Sequence, residues 1–162
     1  MHDLLPNRVG GAALQKNLET LGDIQYTQEE IDFALELQRN NGKPEIGIDG
    51  KIRPLRETLN SPGGGSTDSG DVSYNVPVVS LAATTAPKGV PWHSWSVVAS
   101  SGMSIGHKGM LHAAKALGMT MVDIFKDSKL RENIKKEFDE KIGEYEYDPY
   151  LDPGPPPIDY VD

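Results

Sequence analysis

Between Met103 and Phe125 the chain carries apolar residues on nearly every face of a helix. Met110, Ala114, Leu117, Met121 and Ile124 follow a heptad-like spacing, and Ala113, Ala116 and Met119 leave the other faces small or apolar. A helix with no clearly polar side is expected to be largely buried, so the remaining residues must supply something that covers it. The stretch Val76-Pro-Val-Val-Ser-Leu-Ala-Ala83 has the length and composition of a buried strand and is the natural candidate. A strand near 76–83 under a helix from about Gly102 to Phe125 predicts an α/β fold.

The flanking segments read as surface helices. Leu14, Leu18 and Leu21 recur at helical spacing after Gly10-Gly11, and Gly22 is placed to stop that helix. Thr27 with Glu30 three residues later has the form of a capping box, and Ile31, Ala34, Leu35 and Leu37 give the next helix its apolar face up to Asn40-Asn41-Gly42. Leu130, Ile134, Phe138 and Ile142 fall on one line of an otherwise charged helix, with Glu132/Lys136 and Glu137/Lys141 as favourable pairs. Residues Lys43 to Gly65 show no sustained period and read as a long connection. Residues 1–144 thus form the folded part, and 145–162, with five prolines, an extended tail.

Charge excludes one class of partner. The net charge is -8 and the pI near 5.0, with no basic stripe for phosphates, so nucleic acid is not an expected partner. No apolar run is long enough to span a bilayer, so no membrane association is expected either. There is no cysteine, hence no disulfide framework and no thiolate ligand. Met1 to Pro6 lacks the blocks of a signal peptide, which makes the cytoplasm the expected location.

The residues suited to chemistry are few. His93 lies in a loop after Pro91, between Trp92 and Trp95, the only two tryptophans. Aromatic walls that exclude water would favour a neutral imidazole able to bind metal, although the same address also suits a purely structural histidine. His107 and His112 are five apart and do not share a helix face, so they are not a ligand pair. Both suit satisfied core histidines, and His2 a frayed terminus. The loop Gly63-Gly-Gly-Ser-Thr-Asp-Ser-Gly-Asp71 has the permissive backbone that lets N–H groups converge on a carboxylate, or it is a turn with Asx caps. Asp68 and Asp71 could orient a ligand histidine from behind, or cap turns. No Gly-x-Ser-x-Gly nucleophile motif is present.

Taken in order, Leu4-Leu-Pro-Asn7, the helix pair, Gly65-Ser-Thr-Asp-Ser-Gly-Asp-Val-Ser73, Pro91-Trp-His-Ser-Trp95 and His107-Lys-Gly-Met-Leu-His-Ala-Ala-Lys115 resemble the metal-dependent amidohydrolases of the aminoacylase and carboxypeptidase superfamily. Within it they are most similar to the aminobenzoyl-glutamate hydrolase branch. The resemblance implies the C-terminal portion of a zinc-peptidase-like catalytic domain, a mixed sheet with flanking helices, the lid and dimerisation domain being absent. It makes His93 a ligand of zinc or manganese. Gly65, Ser66 and Thr67 would hold the substrate carboxylate, and Asp68, Asp71 and His107 would support the site from behind. The other ligands and the catalytic glutamate belong to family sequence without a counterpart here, so no catalytic residue is expected in this chain and the isolated chain should be inactive. Its expected partners are that missing N-terminal catalytic portion and a small amide or peptide substrate: an N-acyl amino acid, aminobenzoyl-glutamate or a dipeptide. The intact enzyme would be a homodimer. The alternative is a free-standing, non-catalytic remnant serving as a binding or interaction module.

Overall fold

The computed structural model describes residues 2–56, 67–149 and 154, and among them the fold is all helical. Asn7 starts α1 (Arg8–Leu21): its side-chain oxygen accepts the Gly10 N–H at 2.8 Å, and its amide donates to the Ile134 carbonyl at 2.8 Å. Gly22, at φ 76, closes α1 through an N–H to the Leu18 carbonyl. The expected capping box opens α2 (Gln28–Asn40), with the Thr27 hydroxyl accepting from Glu30 N–H and the Glu30 carboxylate from Thr27 N–H. Then come α3 (Ser69–Ser73), α4 (Trp95–Ser101), α5 (Ser104–Lys126) and α6 (Ser128–Ile142).

Helix α5 is the hub, packed by α1, α4 and α6. Leu14, Ala34, Leu37, Ile105, Ala116 and Ile134 are buried. Polar bonds tie the helices across this small core. Asn17 of α1 donates to Thr120 Oγ1 and to Asp123 of α5 at 3.1 and 2.8 Å. Both oxygens of Glu137 in α6 accept the first N–H groups of α1, from Arg8 and Val9, which places a carboxylate on the positive end of the helix. Those bonds, with Lys141 alongside, hold the Glu137 carboxyl below its usual range despite the opposing effect of burial. Of the charge pairs expected along α6, Glu137–Lys141 forms at 2.6 Å, whereas Lys136 approaches Glu140 instead of Glu132.

The expected mixed sheet is not there. Among the described residues there is no strand, and the one β-type pairing is an isolated parallel bridge between Pro6 and Val78. Segment 76–83 is not helical, but a ladder needs a neighbouring extended backbone, and around it this chain offers helices and loops. It continues beneath α5, where Thr84 crosses so closely that a Cβ at Gly109 would strike the Thr84 carbonyl. Near its start, Val79 packs into the notch left by Gly10 of α1. The expected full burial of α5 fails as well. Its inner face (Ile105, Gly109, Ala116, Thr120) is buried, whereas Met110, Leu117, Met121 and Phe125 face solvent. No helix of the described residues is long and apolar enough to cross a membrane.

Candidate functional site

The loop before α4 owes its shape to two contacts. Val90 is buried, and the Ser94 hydroxyl turns back to donate to the Pro91 carbonyl at 2.5 Å rather than capping α4. Between them His93 is forced to φ 59, the one left-handed non-glycine residue among those described. That conformation is strained for a residue with a Cβ, and such strain concentrates at functional positions. The aromatic enclosure expected around it is absent: Trp92 and Trp95 are 70% and 57% exposed, and His93 itself faces water. The imidazole is presented outward from a tight turn instead of being shielded in a pocket.

The other expected site residues do not gather around His93. Gly65 and Ser66 lie outside the described residues. The Thr67 hydroxyl and carbonyl accept the N–H groups of Ser69 and Gly70, making a turn into α3. Asp68 leads into that helix without a side-chain cap bond. Asp71 does orient a histidine, but it is His2. Asp71 Oδ1 lies 2.7 Å from His2 Nδ1 and also accepts the His2 backbone N–H, and these bonds hold the Asp71 carboxyl below its usual range. His2 Nε2 meets the Tyr145 hydroxyl at 2.6 Å, and the rings of Tyr74 and Tyr147 pack against the imidazole. The residue expected to fray therefore joins the start of the chain to α3 and to the segment after α6. His107 is exposed on α5, and His112 is half-buried.

His112 lines a groove of about 830 Å³ that also touches Trp92, beside the His93 loop. One wall is segment 78–90 and the other is 49–56. Arg8, Lys51, Arg53, Arg56 and Lys88 surround an apolar floor that includes Leu14, Val79 and Leu81. Arg53 is paired with Asp49 at 2.7 Å. Such a groove suits an elongated ligand with acidic ends. Its cations were missed in the sequence because Lys51-Ile-Arg-Pro-Leu-Arg56 lies in a segment without periodicity. The groove is held in shape from below by Gln38, fully buried, which bonds both backbone groups of Gly47 and the Lys88 carbonyl.

A zinc or manganese ion needs three or four ligands, and among the described residues no three His, Cys, Asp or Glu side chains come together to hold one. These residues do not by themselves fit the metal that the resemblance implies.

No family model matches the chain, and no solved structure matches it. It is 34% identical, over 157 aligned residues, to a p-aminobenzoyl-glutamate hydrolase subunit of Escherichia coli (strain K12). This chain is similar to a hydrolase subunit. The alignment covers 82% of the chain and supports the family to which the sequence blocks point. The chain spans about a third of that relative's length, 33% of it being covered.

Proposed function

We propose that this chain is one part of a metal-dependent amidohydrolase that cleaves the amide bond of aminobenzoyl-glutamate or a related N-acyl amino acid or dipeptide, and that it works in the cytoplasm. In this reading His93 contributes one ligand to a metal site whose other ligands, and whose catalytic glutamate, come from the remainder of the enzyme. The observation that carries it is the 34% identity across 82% of the chain. The outward, left-handed presentation of His93 supports it, because a single ligand offered from a rigid turn is what a site shared with another body requires. The cation-lined groove beside that loop suits the carboxylates of such substrates.

The test is a chimera in which this chain replaces the aligned segment of the E. coli relative. It should hydrolyse p-aminobenzoyl-glutamate and hold a stoichiometric divalent metal, and His93→Ala should lose the metal together with orders of magnitude in rate. A chimera that folds and shows no hydrolysis, or one whose His93→Ala variant keeps both metal and rate, overturns the assignment.

A further inference from the structure

We propose that the outer face of α5 and the extended segment Val79–Ala83 form a docking surface for a second polypeptide body, the counterpart of the two thirds of the E. coli relative that this chain does not span. The proposal rests on the reading of the chain as part of a larger hydrolase.

Two independent features are incomplete. On α5, Met110, Leu117, Met121 and Phe125 recur three, four or seven residues apart on the side opposite the buried face, with exposures of 36–81%. Ala114 and Gly118 leave room between them for close approach. Burying one Met, Leu or Phe side chain is worth about 1.5–3 kcal/mol, so a contiguous stripe of this kind is a strong association surface when covered. Helix α4 extends it with Trp95 and Val98. On the extended segment, no N–H or C=O of Val79, Ser80, Leu81, Ala82 or Ala83 forms a hydrogen bond with another described residue. An extended backbone with vacant donors and acceptors is the edge to which a strand adds, and it lines the open groove.

The occupant follows from length and charge. A relative that matches 82% of this chain has two thirds of its own length left over, enough for a body with its own sheet edge and apolar face. A second copy of this chain fits less well, since each copy brings a net charge of -8.

The same chimera tests this without substrate. In the isolated chain, peroxide oxidation of Met110 and Met121 and amide exchange across Val79–Ala83 should be fast. In the chimera both should slow by at least about tenfold, and Leu117→Glu with Met121→Glu should restore fast exchange. Equal rates in the two proteins, a chimera recovered only as aggregate, or protection in the isolated chain that rises with its own concentration would each overturn the docking surface. Protection without hydrolysis would remove the hydrolase assignment alone. Hydrolysis with the methionines still exposed would remove the docking surface alone.

Discussion

Lys108 of α5 meets Glu30 of α2 at 2.6 Å, and the same ammonium donates to the Gln25 carbonyl and lies 5.6 Å from the centre of the Tyr26 ring. Glu30 is only 7% exposed, and burial alone would push its carboxyl up. The hydrogen bonds from Lys108, Ser104 and the Thr27 N–H outweigh burial and hold it at about 2, against an ordinary 4.5. Burial and the nearby Glu30 and Asp49 carboxylates push the Tyr26 phenol up to about 12.

A carboxyl whose folded pKa is depressed stabilises the fold above its unfolded pKa and loses that contribution as the pH falls through the folded one. Glu30→Gln should therefore cost about 1–3 kcal/mol near neutral pH. Its melting temperature should converge on that of the parent between pH 4.5 and about 2. Thermal denaturation of both proteins across that range checks it, and a constant difference down to pH 2 would count against the pairing.

Gln38→Leu keeps the volume but strands the Gly47 N–H and the Gly47 and Lys88 carbonyls. The loss should be about 3 kcal/mol in urea denaturation, with faster amide exchange at Gly47. A change below about 0.5 kcal/mol, the scale of an ordinary surface substitution, would show that the clamp does not shape the groove.

Two glycines of α5 should respond oppositely to alanine. A Cβ at Gly118 meets nothing within 4 Å, so Gly118→Ala should stabilise by up to about 1 kcal/mol through helix propensity. At Gly109 the Thr84 carbonyl blocks the new methyl and Thr85 Cγ2 would lie 2.9 Å away, so Gly109→Ala should destabilise by about 2 kcal/mol. Matching signs in chemical denaturation would mean that segment 84–85 does not cross α5 as described.

His93 offers a separation of strain from chemistry. At φ 59 a β-branched side chain is disfavoured, so His93→Val should lower stability by about 1–2 kcal/mol while His93→Gly leaves it nearly unchanged. Both should abolish metal uptake in the chimera. The isolated 162-residue chain should bind zinc only weakly whichever residue stands there, because one ligand cannot close a tetrahedral site. Equilibrium dialysis with zinc checks this, and tight stoichiometric binding by the isolated chain would refute it.

Helices with local signals were legible before any coordinates. The capping box of Thr27 and Glu30, the Leu14–Leu18–Leu21 spacing closed by Gly22, and the Ile134–Phe138 line with Glu137–Lys141 all depend on neighbours three to seven residues away, which sequence records directly. Site features that depend on distant partners were not. Asp71 could be read as orienting a histidine, but that its histidine is His2, 69 residues away, is a matter of how the chain closes. The left-handed turn at His93 and the groove between 49–56 and 78–90 are likewise products of packing. Helix α5 and segment Val76–Ala83 show the division most clearly. The apolar pattern determined that both want a covering, because periodicity records which side chains avoid water. Whether a ladder forms or a face is covered depends on what backbone and surface lie alongside, and in this chain the described neighbours are too few to complete either.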